Sequence, residues 1–315
     1  MFEVPQDLRR RPVSRSELLA SGVPRGVLQG RQFLRLHHGV YCFAGHAMTF
    51  HDRIAAARLA LPPSAVTTGV TRLQEIGIDV GPRAPLHFVV EGDHHLAIDG
   101  VFLHRTLKMP PHEDGHASDE AVYVAYSATA RLIDAIKVGC EMQRRGRLDL
   151  SLLDDLIDGE RWRRGVRETA YVLPWLTDRC RSMPEAELVA YVRAAGLRDP
   201  EVNTQVEIAP GVVVTPDLWF AAHRSAAEYE GSQHQEDRAQ YNADIDRYAD
   251  YRRYDVAYEL VTRERMRTPK ATIRAIHAML TSRGYAGPAP DFGDAWESLL
   301  RPLRELVRPH APRER

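Results

Sequence analysis

The stretch that most constrains this chain is residues 211–237, GVVVTPDLWFAAHRSAAEYEGSQHQED. An apolar run, Val212 to Val214, leads into Pro216 and Asp217, and a single strand is expected over residues 212–219. A turn at residues 221–225 follows, and a second extended piece ends in Glu228-Tyr229-Glu230-Gly231. Side chains alternate along a strand, so Glu228 and Glu230 project to one side and Tyr229 to the other. Paired as a hairpin, the two runs place Asp217 beside that carboxylate pair. Three crowded carboxylates repel one another, and a divalent cation with oxygen ligands relieves them. The expectation is Mg²⁺ or Mn²⁺ on Asp217, Glu228 and Glu230. Gly231 lets the chain turn away, and His234 can reach back from the start of the next helix. The plain alternative is a hairpin whose acids sit on a solvated face.

The flanking sequence supplies a frame for this hairpin. Ser182-Met183-Pro184-Glu185 reads as a helix start, with Ser182 as cap, Pro184 in the first turn and Glu185 placed to join the carboxylates from within. Leu188, Val189 and Val192 pack that helix and Gly196 ends it. A strand is expected over residues 204–208, a long helix over residues 235–251, a strand over residues 254–261 and a helix over residues 269–280. On the long helix Tyr241 and Tyr248 share a face, and Asp244 and Arg247 are spaced to pair.

The order Pro216-Asp217, turn, Glu228-Tyr229-Glu230-Gly231, His234, preceded by the Ser182 helix, resembles the PD-(D/E)XK nuclease superfamily. The branch it resembles is that of the very-short-patch-repair (Vsr) endonuclease, over residues 182–267. The resemblance implies a restriction-endonuclease-like sheet flanked by helices and Mg²⁺-dependent hydrolysis of DNA. It assigns Asp217, Glu228, Glu230, His234 and Glu185 to the site. It also implies an acidic residue and an arginine on the long helix, matched by Asp244 and Arg247. One position departs from the pattern: Glu230 stands where the superfamily carries lysine. That lysine positions the attacking water and steadies charge on phosphorus. The Vsr branch lacks it too and uses a nearby histidine, for which His234 is the stand-in. An acid there equally suits a site that binds metal without cleaving.

Net charge is −1 over 315 residues, so positive charge for DNA must be local. It is concentrated in the first 45 residues, where Arg9, Arg10, Arg11, Arg15, Arg25, Arg31 and Arg35 outnumber three acids by four. Ser14-Arg15-Ser16-Glu17 reads as a capping box opening a short helix that Gly22 closes. Val23-Pro24-Arg25 opens a second helix, ended by Gly30. Residues 33–36 and 40–43, joined through His37-His38-Gly39, read as a hairpin. Helix, turn, helix and wing is the winged-helix plan for duplex DNA. It puts Arg25, Gln29, Arg31 and Gln32 on the DNA face and Arg35, His37 and His38 on the wing. The segment GVPRGVLQGRQFLRLHHGVYCF also resembles the N-terminal domain of AbiEi-family antitoxins of type IV toxin–antitoxin systems, which implies a cognate toxin or operon partner.

Residues 49–178 read as a mixed α/β middle part. Helices are expected over residues 50–61, 68–76, 127–136 and 150–157, and strands over residues 86–90 and 101–104. Its histidines His87, His94, His95, His104, His112 and His116 lack a tight ligand spacing. This part resembles the middle segment between AbiEi-like heads and Vsr-like tails. The stretch from Trp162 to Trp175, with Arg161, Arg163, Arg164 and Arg167 around Gly165, reads as a basic helical linker. Residues 287–315 read as a loose tail containing Pro and Arg. Cys42, Cys140 and Cys180 are odd in number and share no metal-ligand spacing, which suits a reducing cytoplasm. No run of about 18 apolar residues is present, so no membrane span is expected.

The expected architecture is thus α+β or α/β and multidomain. It comprises a winged helix over residues 1–48, a middle domain over 49–178, a Vsr-like domain over 179–286 and a tail over 287–315. The expected function is duplex DNA binding with Mg²⁺-dependent endonuclease activity. The alternative is a non-enzymatic regulator or antitoxin with a degenerate nuclease fold.

Overall fold

The computed structural model describes residues 2–231 and 238–307, the side chains of 238–244 excepted. It is a mixed α+β protein whose contacts divide it into two compact units, residues 1–126 and 127–315.

The first unit begins with β1 (Val13–Ser14), α1 (Arg15–Ala20), α2 (Arg25–Leu28), β2 (Phe33–His37) and β3 (Val40–Phe43). Ser14 caps α1 by accepting from the Glu17 amide, as the S-x-x-E pattern implies. Arg11 pairs with the Glu17 carboxylate. Gly39 turns β2 into β3 at φ +74°, a conformation that costs most residues dearly. The three strands form a sheet in the order β1-β3-β2. Val13 of β1, Leu18 of α1, Val23 of the turn, Leu28 of α2 and Phe33 of β2 bury against Val4 and Leu8. Each such side chain contributes about 1.5–3 kcal/mol on burial.

The rest of this unit is α3 (Phe50–Ala60), β4 (Val66–Thr67), α4 (Gly69–Glu75), β5 (Leu86–Glu91), β6 (Val101–Thr106), β7 (His112–Glu113), β8 (His116–Ala117) and α5 (Asp119–Ser127), whose last residue opens the second unit. Thr49 and Asp52 cap α3 reciprocally. The sheet runs β6-β5-β4-β8-β7, and α3 packs Ile54 and Ala57 against Leu86, Phe88 and Val90.

The second unit opens with α6 (Leu132–Arg144), α7 (Leu150–Gly159), α8 (Val166–Val172) and α9 (Met183–Ala194). Lys137 on α6 donates to Glu187 on α9 at 2.6 Å. Next come β9 (Glu201–Val202), β10 (Val206–Ala209), β11 (Val212–Val214), β12 (Leu218–Phe220), β13 (Ser225–Glu230), α10 (Arg238–Arg253), β14 (Ala257–Thr262), α11 (Pro269–Ser282), α12 (Asp294–Leu299) and α13 (Leu303–Leu306). A four-stranded sheet runs β14-β13-β12-β9. Strands β9, β12 and β13 are antiparallel neighbours, and α10 crosses over to set β14 parallel to β13. Tyr251 on α10 buries against Trp219 and Ala226 of the sheet and Val256 before β14.

Several expectations change. The single strand over residues 212–219 is two strands: β11 pairs with β10 as a separate hairpin, and β12 pairs with β13. Pro216 sits at the break, where a residue without an amide proton cannot extend a ladder. No helix starts at Ser127. It ends α5, and α6 starts at Leu132 after an extended Arg131. Residues 127–178 fold within the same unit as the carboxylate-bearing sheet. The tail is not loose through residue 307: Trp296, Leu299 and Leu303 are buried, and Trp296 stacks on Tyr191 at 4.9 Å. Proline content had stood for looseness, but these apolar anchors decide the matter. Among the described residues, no helix is long and apolar enough to cross a membrane.

Candidate active site

Asp217 ends the irregular step before β12, and Glu228 lies on β13. Because Leu218 pairs with Ala227, the next residues outward, Asp217 and Glu228, fall side by side across the two strands. Asp217 Oδ2 accepts from the Tyr229 amide at 2.7 Å, which fixes the carboxylate against β13. Desolvation, then the charge of Glu228, then that of Glu185 push the Asp217 carboxyl well above the usual carboxylate range.

Glu228 is almost fully buried, at 1% exposure. A buried carboxylate is tolerable only with donors around it. Its Oε1 accepts from the Tyr251 hydroxyl at 2.6 Å, and its Oε2 lies 3.3 Å from Arg247 Nη2. Both partners come from α10, one turn apart, so that helix presents a cation and a hydroxyl to one carboxylate. Burial and then the charge of Glu228 raise the Tyr251 phenol, keeping it protonated as a donor.

Glu185 is buried in the first turn of α9. It accepts from Ser182 Oγ, from the Arg181 amide and from Asn203 Nδ2, each at 2.8 Å. Ser182 Oγ in turn accepts from the Glu185 amide, so the expected cap is present and the carboxylate belongs to it. Asn203, at φ +48°, donates its backbone N–H to the Asp217 carbonyl at 3.0 Å and its side chain to Arg179 O at 3.0 Å. It links the loop before α9, Glu185 and the Asp217 step. Asparagine is among the few residues that adopt this backbone readily.

The structure therefore brings together Asp217, Glu228 and, electrostatically, Glu185. Glu230 is half-buried at the end of β13, and the main influences on Asp217 come from Glu228, Glu185 and Arg247 besides burial and the Tyr229 amide. Among the described residues no three His, Cys, Asp or Glu side chains are grouped to hold a metal, so the expected set Asp217, Glu228 and Glu230 does not assemble as three ligands. Successive same-face residues on a strand lie nearly 7 Å apart, which carries Glu230 beyond the pair. His234 and the side chain of Asp244 lie outside the described residues. Arg247 turns to Glu228, and Asn203 and Tyr251 are neighbours of the carboxylates that the sequence did not point to. The left-handed tolerance of asparagine between strands, and Tyr251 four residues beyond Arg247, were the available signals.

In the N-terminal module Arg25, Gln29, Arg31, Arg35 and His38 are exposed, whereas Gln32 and His37 are half-buried. Gln32 Nε2 donates to Phe2 O at 2.8 Å, which occupies it locally. Arg35 Nη2 lies 3.0 Å from His38 Nδ1, and Arg35 Nε donates to the His37 carbonyl at 3.3 Å. Burial lowers the His37 pKa against an opposing pull from Asp99, favouring its neutral form. In the middle part, His87 and His104 meet at 2.9 Å, and His116 contacts Glu75 and Arg58.

No family model matches the chain, and no curated protein matches its sequence.

Proposed function

We propose that the chain binds duplex DNA through its N-terminal module and hydrolyses phosphodiester bonds at the Asp217–Glu228 pair with Mg²⁺ or Mn²⁺. The observation that carries this reading is the pair itself: two oxygen-donor side chains side by side, one just before β12 and one on β13, with the Asp217 carboxyl raised by desolvation and then by the charge of Glu228. Opposing carboxylates at that distance from water are suited to a hard cation. Mg²⁺ commonly takes only one or two carboxylates and completes its shell with water and phosphate oxygens. A cation held by Asp217 and Glu228 would supply an acidified water and offset charge growing on the phosphate. The protein's own part is orientation. The Tyr229 amide aims Asp217, Tyr251 and Arg247 aim Glu228, and Asn203 braces the loop that carries Asp217. His234 would move a proton to or from the reacting oxygens. Support for the head as the DNA contact comes from the exposed Arg25, Arg31 and Arg35 beside a short helix and hairpin in a region of surplus positive charge.

The test is incubation of the purified protein with supercoiled plasmid and millimolar Mg²⁺ or Mn²⁺, beside an Asp217→Ala control. Nicking by the parent and none by the variant is expected. One observation favours a second reading: Arg247 and Tyr251 already compensate Glu228, and Glu230 stands in the lysine position. A parent that binds DNA but leaves plasmid intact under both metals would make the chain a non-enzymatic regulator or antitoxin, its partner a cognate toxin.

A further inference from the structure

The turn between α7 and α8 and the outer face of α8 carry a surface that the carboxylate site does not use. Trp162 is 51% exposed and Tyr171 40% exposed, both in the unit that carries the carboxylates. Arg161 pairs with Asp158 at 3.0 Å, and Arg163 pairs with Glu160, so these two guanidiniums are already neutralised. Arg163 also lies over the Trp162 ring, 4.9 Å from its centroid, and fixes the indole's orientation. Arg164 and Arg167 differ. Both are exposed, and among the described residues neither has an acidic partner within 4 Å. Arg167 and Tyr171 are four apart on α8, so they share a face. Gly165, at φ +100°, makes the turn that brings Arg164 to the start of that helix. On α7, packed beside α8, Asp154 and Asp155 are exposed and confine favourable contact with a polyanion to α8 and the turn before it.

Two exposed guanidiniums without an acidic partner among the described residues, flanked in the chain by two exposed rings, suit a chain of phosphates carrying bases whose faces are free. In a duplex those faces are stacked away, so flat rings gain little there; in a single strand each base can stack on indole or phenol. We propose that Trp162, Arg164, Arg167 and Tyr171 hold an unpaired DNA strand. The inference rests on DNA being the partner, though not on cleavage, and it assigns strand recognition to the carboxylate-bearing unit rather than to the N-terminal module.

The experiment is fluorescence anisotropy of the full chain in EDTA with a labelled oligothymidylate of about 20 nucleotides and with a labelled duplex, over a salt series. Arg164→Glu with Arg167→Glu should weaken single-strand binding at least tenfold and flatten its log–log salt slope by about 1.4, the value for two phosphate contacts on a single strand. Trp162→Ala should weaken it on the order of tenfold, Trp162→Phe should largely restore it, and duplex affinity should hold in both. Arg25→Ala with Arg31→Ala should do the reverse, lowering duplex affinity alone. Thermal unfolding of each variant checks that the exposed substitutions leave the fold intact. Unchanged single-strand affinity in the Arg164/Arg167 and Trp162 variants overturns the inference while leaving plasmid nicking and duplex binding untouched. Equal losses on duplex and single strand overturn it as well, because they mean contact with backbone only. Failure of the parent to bind DNA in any form removes both this surface and the function proposed above.

Discussion

The N-terminal module and the carboxylate site are built in opposite ways. The module closes its core from Val4, Leu8, Val13, Leu18, Val23, Leu28 and Phe33, all within a short run of chain, and leaves its arginines in water. The carboxylate site draws Glu185, Asn203, Asp217, Glu228, Arg247 and Tyr251 from two helices, one strand and two connecting segments, and it takes a charge almost wholly out of water. Exposed charges act additively and fade with salt. Buried ones act as a coupled set, where removing one partner strands another. Substitutions in the module should therefore tune affinity smoothly, and substitutions at the carboxylates should change chemistry or stability abruptly.

The sharpest test of that contrast is His234→Ala. If the site cleaves without a lysine, another group must handle protons, and cleavage should fall by roughly 10²–10⁴-fold, the scale of a lost general acid or base. DNA affinity should stay close to the parent's. Single-turnover cleavage of a labelled duplex gives the rate. A variant cutting at the parental rate removes His234 from the mechanism.

Next in size is deletion of residues 1–45. With about four phosphates neutralised, the salt slope for duplex should be near −3.6, and removing the module should cost about 100-fold in affinity at moderate salt. Titrations at matched ionic strength decide it. Undiminished binding by the shortened chain would move DNA recognition into the second unit and erase the division of labour drawn here.

The two regions also differed in how much of them could be seen in sequence. The Ser14–Glu17 cap, the Gly39 turn and the β2–β3 hairpin were legible because each is decided within a few residues. The neighbourhood of Asp217 and Glu228 was legible for the same reason, since one turn sets their register. Tyr251 and Arg247 on Glu228 were not, because which face of α10 meets the sheet depends on packing against Trp219 and Val256. Nor was the change of partner at Pro216, where β11 pairs with β10 and β12 with β13, because the proline marks a break without telling which strand lies beyond it. Glu185 was rightly placed in the first turn of α9, but its carboxylate is held by Ser182, Arg181 and Asn203, and the last of these no local pattern announces. The buried anchor Trp296 was hidden by the prolines around it.

Tyr251→Phe probes the coupling directly. It removes the hydroxyl from Glu228 Oε1 with little change of shape, leaving a buried carboxylate oxygen short of a donor. Hydrogen bonds to charged groups are worth about 1.5–3 kcal/mol. For a unit of this size that corresponds to a fall in Tm of roughly 3–12 °C. Scanning calorimetry without metal is the measurement. A Tm within a degree of the parent's would mean that Glu228 is held well enough without the Tyr251 hydroxyl and that the site is less coupled than its geometry indicates.

The smallest effect, and the one that most finely separates the two regions, is expected from Asp217→Asn. Desolvation and the charges of Glu228 and Glu185 raise the folded-state pKa of Asp217 above the roughly 3.9 of a free aspartate. A raised pKa means that the fold prefers the protonated acid. The stability tied to this group is complete below the unfolded pKa and is lost as pH climbs through the folded one. Asparagine resembles the protonated form and can still accept from the Tyr229 amide through its carbonyl oxygen. In EDTA the variant should therefore melt near the parent at pH 4 and above it at pH 8. Millimolar Mg²⁺ should narrow the gap at pH 8, because only the parent gains from binding a cation in its folded state. No comparable pH-dependent gain is expected from replacing Arg25 or Arg31, whose charges already sit in water. A Tm difference that is the same at both pH values would show that Asp217 feels no pressure from its neighbours, and the contrast between the exposed and the buried site would lose its electrostatic basis.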